Sequence, residues 1–479
     1  MSDFVPNWFW DFASHIPHFN LSNNQLRGDL SNVLLKSHLI DLSSNHFKGQ
    51  LPHLSPDVEA LFLSKNSFFG SLSPLLCENL DDQNSLMYLD LSENHLSGKI
   101  PPCWMHWQGL KLVNLGSNNL SGNIPSSMGS LSGLRSLRLR NNSISGHLPS
   151  SLQNCKYLRI IDLGENMLSG HIPSWIGKRL KNLIFLRLQS NKFSGSIPQQ
   201  ICNLSSLHVL NLAHNSLSEA IPLCLDKIAA MVTEDSAFRK LSFSYPHGYY
   251  LESMLLVTKG IEWEYNNILG LIKGIDLSSN NLCGGIPHEV SSLSGLRFLN
   301  LSGNYLNGIM PENIDGLKWL ESLDLSKNHL SGAIPQTMSS LTFLSYLNLS
   351  YNNFSGSIPR STQLQSFREE SFAGNPELCG DPLLKKCTGH GDSQVPPSGE
   401  DTGKGEDEDD GAMLSGFYIS MLPGFVVGFW GVCGALFFKK SWRYSYFQFW
   451  DNIKDQIYVA VALKLIWLRK KVKKNRVGE

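Results

Sequence analysis

The stretch Leu134-Arg-Ser-Leu-Arg-Leu-Arg-Asn-Asn-Ser-Ile-Ser-Gly-His-Leu-Pro149 decides the fold, and Leu296 to Pro311 repeats its pattern. Leu134, Leu137 and Leu139 alternate with Arg135, Ser136, Arg138 and Arg140. That alternation predicts a short strand with one buried and one solvated face. Asn142 follows where the chain must turn inward, and its side-chain amide is suited to satisfy backbone groups that the bend leaves unpaired. Gly146 then permits a tight bend, and Pro149 fixes an extended segment that cannot continue as helix; Gly170, Pro173, Gly195 and Pro198 do the same in later copies.

Outward from this unit, the turn asparagine recurs at Asn24, Asn45, Asn66, Asn94, Asn118, Asn142, Asn166, Asn191 and Asn215, then at Asn280, Asn304, Asn328 and Asn352. From Asn94 the step is 24 or 25 residues, with one jump of 65 between Asn215 and Asn280. A period of this size defines an α/β leucine-rich-repeat solenoid, because one coil cannot bury its own leucines and stacking does. The 24-residue form with Ser-Gly-x-Ile-Pro resembles the plant-specific class of these repeats. That resemblance implies a curved right-handed solenoid in which the Ile-Pro segment forms a second, smaller sheet.

The formal net charge of −1 gives no global basic field for nucleic acid. Of nine cysteines, Cys379 and Cys387 follow the last repeat, where a disulfide would staple an end cap. Cys77, Cys103, Cys155, Cys202, Cys224 and Cys283 lie between or beside repeats, where buried thiols are the default, although Cys202 and Cys224 are spaced to bridge. No metal-ligand spacing, phosphate loop or nucleophile constellation is present, so neither enzyme nor cofactor is expected. Sequons stand at Asn20, Asn119, Asn141, Asn203, Asn300, Asn348 and Asn353.

Residues 416–438 carry no charge and, at about 1.5 Å each, span roughly 35 Å as one transmembrane helix. Glu406 to Asp410 precede the span and Lys439, Lys440 and Arg443 follow, which predicts a single-pass orientation with the repeats outside the cell. Gly416, Ser420, Gly424 and Gly428 line one helix face and would admit a second membrane helix. The basic tail, 439–479, is far too short for a kinase and suits the inner leaflet. Met1 to Phe19 shows no signal sequence, reads instead as repeat interior, and suggests an amino-terminally truncated chain.

Residues 232–270 interrupt the repeats with Phe238, Phe243, Tyr245, Tyr249, Tyr250, Trp263 and Tyr265. Such an insertion in a solenoid is a functional element, and its aromatic content argues against disorder. Tyr250, then eight residues, then Lys259-Gly260 resembles the island motif of plant leucine-rich-repeat receptor-like proteins of the kinase-lacking, immune-receptor group. The domain order is also similar to that family: repeats over 1–231 and 271–359, a cap over 360–390, an acidic linker over 391–415, the span and the tail.

The resemblance implies a plasma-membrane receptor that binds an extracellular protein or peptide ligand. It further implies pairing with an adaptor receptor-like kinase through the membrane helix and recruitment of a co-receptor kinase at the membrane-proximal repeats, in plant defence. Outward register and motif match place ligand contacts at Arg135, Arg138, Arg140, Arg159, Phe185, Arg187, His208, Tyr250 and Lys259. After the island, the outward positions repeat as Asp276/Ser278, Asn300/Ser302, Asp324/Ser326 and Asn348/Ser350. Before it they vary as Asn114/Gly116, Arg138/Arg140, Asp162/Gly164, Arg187/Gln189 and Asn211/Ala213. The uniform block reads either as repeat duplication without divergence or as a generic partner site, and the resemblance implies the latter, a co-receptor face at Asp276, Ser278, Arg297, Phe298, Asp324, Ser326 and Tyr346. Alternatives are a developmental peptide co-receptor and an inhibitor of a cell-wall-degrading enzyme.

Overall fold

The computed structural model describes residues 3–78, 84–233, 242–245, 248–265 and 269–387. The linker over 391–415, the membrane segment with Gly416, Ser420, Gly424 and Gly428, and the tail all lie outside the described residues. Among the described residues, no helix is long and apolar enough to cross a membrane.

Each repeat contributes one three-residue strand to a 13-stranded parallel sheet, from His18–Asn20 at one end to Tyr346–Asn348 at the other. The repeat leucines form one continuous core behind this sheet. The type unit contributes Leu134, Leu137 and Leu139, all fully buried. The amino-terminal segment supplies the helix Trp8–Ala13, which buries Trp10 and Ala13 against the first coil.

The second sheet departs from expectation. It has 14 strands, so it is no smaller than the first, and its strands lie just ahead of the Ile-Pro residues, as in Met167–His171 before Ile172-Pro173. The Leu-x-Gly segment is the part that remains extended and pairs; proline has no N–H to donate to a ladder. Gly170 takes φ +86° inside this sheet, and a Cβ there would collide with the His147 ring of the preceding repeat.

The turn asparagines form the expected ladder. Asn142 Nδ2 donates to Leu115 O at 3.0 Å, Leu139 O at 3.1 Å and Arg140 O at 3.2 Å, while its Oδ1 accepts Leu120 N–H at 2.9 Å. The ladder crosses the insertion without a break. Asn280 Nδ2 donates to Leu212 O at 3.0 Å and its Oδ1 accepts Leu217 N–H at 2.9 Å. Strand Val209–Asn211 pairs directly with Gly274–Asp276. The insertion is therefore looped out of an intact solenoid.

Among the described residues three disulfides are present: Cys77–Cys103, Cys202–Cys224 and Cys379–Cys387. This corrects the buried-thiol default for the first two pairs, since adjacent coils bring cysteines one repeat apart to Cα separations of 5.5 and 5.8 Å. Cys155 remains a buried thiol, its pKa pushed up by burial to about 11, and Cys283 is an exposed one.

Candidate functional site

The island lies on the concave sheet. Strands Met254–Thr258 and Ile261–Tyr265 form an antiparallel hairpin with its turn at Lys259-Gly260. At the root, Arg138 forms an ion pair with Glu252, and its Nη1 donates to Ser253 O at 2.5 Å. Both partners are buried, so neither charge has water to fall back on. Two strands further, Arg187 Nη1 donates to Leu255 O at 2.8 Å. Between and beyond these cations, Met254 and Leu256 of the hairpin, with Leu269 and Ile272, form an apolar cluster with Ile160, Phe185, Val209 and Phe298 of the sheet. At the tip, Lys259 Nζ meets Glu321 at 3.1 Å. The Tyr346 ring lies so close to Gly260 that a Cβ there would stand 3.2 Å from it.

This placement sorts the residues expected to touch a ligand. Arg138, Phe185 and Arg187 do not face solvent; they hold the island, and Arg187 and Phe185 are fully buried beneath it. Arg140 is tied to Glu165 at 2.6 Å. Arg135 is exposed and Arg159 half-buried, both on the rim just ahead of the concave strands. His208 is half-buried, its Nδ1 2.8 Å from Ser206 O, and its pKa is lowered by burial and by the Lys273 charge. Lys259 is exposed at the hairpin tip. Tyr250 falls in the strand Gly248–Leu251, but its side chain lies outside the described residues.

The presumed co-receptor face is equally divided. Phe298 is buried under the island, Tyr346 packs against its tip, and Arg297 bonds to Glu321 at 2.6 Å. The Asx/Ser pairs have a local explanation. Ser278 donates through N–H (3.1 Å) and Oγ (2.7 Å) to Asp276 Oδ1, and Ser326 does so to Asp324 Oδ1 at 3.0 and 2.7 Å. These are side-chain turns that close the strand end. Burial raises the Asp276 carboxyl, opposed by its bonds from Ser278. The same turn occurs before the island at Asp41/Ser43 and Asp90/Ser92.

The longest lapse runs from Asn114 to Ala213, on the strands around the two docking arginines; Phe62/Ser64, with no side-chain acceptor at the first position, is a single break nearer the amino terminus. Gly116, Gly164 and Ala213 keep the backbone bond there and lack the hydroxyl one. In its place Glu165 lies within reach of both Arg140 and Arg187, and Gln189 accepts from Arg187 and Asn211. The apolar outward column Ile160, Phe185, Val209 and Phe298 was the legible signal of docking, and sequence reasoning did not use it.

Two concavities flank the hairpin. One, of about 310 Å³, is polar and is lined by Lys65, Asp90, Glu93, Asn114, Arg140 and Asp162, with Ser253 and Leu255 of the island. The other, of about 540 Å³, lies between the hairpin and the post-island repeats. Among the described residues, no group of three or more His, Cys, Asp or Glu stands together to hold a metal.

Comparison with known proteins agrees with this architecture. Leucine-rich-repeat family models match residues 85–107, 109–131, 133–155, 157–178, 182–204, 206–228 and 265–293, and again 301–354. Receptor-like protein EIX2 of Solanum lycopersicum is 46% identical over 485 residues, which covers 99% of this chain and 47% of that protein. Receptor like protein 21 of Arabidopsis thaliana is 57% identical over 185 residues, 38% of this chain and 18% of that one. Among solved structures, the Arabidopsis receptor kinase HAESA in complex with the peptide hormone IDA and the co-receptor SERK1 has a TM-score of 0.53 and 28% identity. That match covers 80% of this chain and 65% of that chain. The chain belongs to the plant leucine-rich-repeat receptor-like proteins. It spans about half the length, or less, of these curated relatives.

Proposed function

We propose that this chain is a non-enzymatic cell-surface receptor that binds an extracellular protein or peptide ligand and signals by recruiting receptor kinases in plant defence. The observation that supports it best is the island fastened across the concave sheet by Arg138 and Arg187. A repeat sheet alone is a uniform surface; roofing it creates two unlike concavities. Ile261 and Trp263, two residues apart on one face of the hairpin, are 56% and 57% exposed. Large apolar side chains so presented are the usual anchors of a protein contact.

Ligand contacts fall on the rim cations Arg135 and Arg159, on Arg140 and His208 beside them, and on Tyr250 and Lys259 of the island. Asp276, Ser278, Asp324 and Ser326, with Arg297, Phe298 and Tyr346, belong to the stretch of repeats offered to a co-receptor kinase. Of these, Arg297, Asp324 and Tyr346 have accessible surface, while the Asx/Ser pairs shape the backbone. The HAESA complex contains both a peptide and a co-receptor, which favours partners of these two kinds.

The chain is anchored in the plasma membrane by residues 416–438, with its repeats outside. An adaptor receptor-like kinase pairs along Gly416, Ser420, Gly424 and Gly428. Asn20, Asn119, Asn141, Asn203 and Asn353 are exposed and suited to carry glycans; Asn300 and Asn348 are half-buried, with Oδ1 held by Ser302 and Ser350.

The test is co-purification from plant cells expressing the full chain. Receptor kinases should be recovered with it, and Gly424→Leu with Gly428→Leu should lower recovery several-fold without changing the chain's own abundance. Unchanged recovery rejects helix pairing, and a chain whose mass glycosidase treatment leaves unaltered contradicts surface delivery.

A further inference from the structure

The concavity between the hairpin and the post-island repeats has two chemically distinct walls. Trp263 and Tyr265 of the hairpin, with Leu271, Ile272 and Phe298, make an apolar wall, and Lys259, Arg297 and Glu321 make the polar one. At about 540 Å³ it has the size of a small-ligand site, and its composition, mostly apolar with a few converging polar groups, is that of one.

The cations are held in place before anything binds. Arg297 donates through Nε to Leu271 O at 3.2 Å and through Nη1 to Glu321 at 2.6 Å, and its guanidinium lies over the Trp319 ring at 5.9 Å. Trp319 is itself stacked on Phe343, with ring centroids 4.7 Å apart. Lys259 spends one donor on Glu321, and Nη2 of Arg297 has no partner among the described residues. Burial pushes the Glu321 carboxyl up, but the hydrogen bonds and charges of Lys259 and Arg297 outweigh it and hold the group below its ordinary range. Two cations therefore share one carboxylate in this wall, and Arg297 is the one held in a set orientation. Glu264, exposed, lies at the rim and also borders the polar concavity on the hairpin's other side.

We propose that this pocket binds an amphipathic carboxylate: an aromatic or bulky apolar body against Trp263, Tyr265 and Phe298, and one carboxylate on Arg297 and Lys259. That chemistry is shared by a free small aromatic acid and by the carboxyl-terminal residue of an apolar peptide. A charge-assisted, two-donor contact at a preoriented guanidinium discriminates a carboxylate from its neutral amide. The inference rests on the receptor reading, since Lys259 is among its ligand contacts and Arg297 and Phe298 belong to the stretch offered to a co-receptor.

The experiment is saturation-transfer NMR and calorimetry on the full chain in detergent, with two probes. One is 4-phenylbutanoate; the other is acetyl-Gly-Gly-Phe with a free carboxyl. Their neutral amides serve as controls. Binding of at least one acid is expected, with the matching amide about tenfold weaker. Arg297→Gln and Trp263→Ala should each weaken it to a similar degree, and Trp263→Ala should leave thermal unfolding unchanged. Because Trp263 is largely solvent-exposed, its truncation tests the pocket without threatening the fold. Binding of the peptide alone identifies a chain terminus as the source, and binding of phenylbutanoate alone a free acid. Equal binding of acid and amide, wild-type affinity in both variants, or no binding of either acid overturns the proposal.

Discussion

The concave strands after the island and those beneath its root are built from the same repeat, yet they close their strand ends differently. From Asp276 to Ser350 each coil uses an Asx carbonyl or carboxylate to bind a serine two residues on. From Asn114 to Ala213 the serine is gone, and arginines, Glu165 and Gln189 take the space. A repeat left to itself satisfies its turn locally. Where another element docks, the same positions are released from that task to reach 114 residues along the chain, as Arg138 does to Glu252. The sustained run of irregular strand ends in this array thus coincides with the docked island.

The largest effect expected from this contrast is at Arg138. Arg138→Ala leaves Glu252 buried without its cation and should weaken island docking by about 3–5 kcal/mol. Limited proteolysis should then cut within residues 242–265 while the solenoid stays resistant. The double variant Arg138→Met with Glu252→Met should recover most of that loss, because an apolar pair has no charge to desolvate. If the double variant is cut as fast as the single one, the ion pair is not what fails.

Asn280→Ala tests whether the two blocks are one body. It removes the acceptor for Leu217 N–H and the donor to Leu212 O, at a cost on the order of 3 kcal/mol in the urea midpoint. A comparable loss for Asn142→Ala would show that the insertion does not weaken the ladder. Ser326→Ala should cost about 1 kcal/mol by the same measurement, since one local hydrogen bond is lost. Introducing serine at Ala213 should gain no more than that, by adding a hydroxyl donor to Asn211 Oδ1, which already accepts Ala213 N–H at 3.1 Å.

The tip contact is the weakest. Lys259 and Glu321 are both partly exposed, so Lys259→Met should change stability by only about 0.5 kcal/mol. Its pH dependence has a fixed sign. The Glu321 pKa is lowered in the folded chain, so the contact is fully present above the unfolded carboxylate value of 4.5 and is lost as pH falls through the lower folded one. Amide exchange at Lys259 and Gly260 should accelerate there, and Glu321→Gln should abolish that acceleration.

The solenoid was legible because its signal is periodic: leucines inward, asparagine at the turn, glycine at the bend. One rung escaped. Asn375 donates to Leu349 O at 3.1 Å and accepts Phe354 N–H at 3.0 Å, continuing the ladder into the cap. It follows Ser371-Phe-Ala-Gly, where Phe372 fills the leucine site and hides the phrase. The island was legible as an interruption and as a family motif, but its contacts were not. Arg138 and Arg187 look like free surface cations in a coil read singly, and nothing near them names Glu252 or Leu255. The apolar column through Ile160, Phe185 and Val209 could have shown that the sheet was covered. The Cys77–Cys103 bridge was overlooked although its separation of 26 residues is close to the 22 of Cys202–Cys224.

Hydrogen exchange of the backbone amides of residues 254–265, in the wild-type full chain and in Arg138→Ala, tests the docked island most directly. The amides should be protected in the wild type and exchange much faster in the variant, with the amides of strand Ser322–Asp324 unaffected. Free exchange of the hairpin in the wild type, or equal protection in both chains, would contradict an island fastened to the concave sheet.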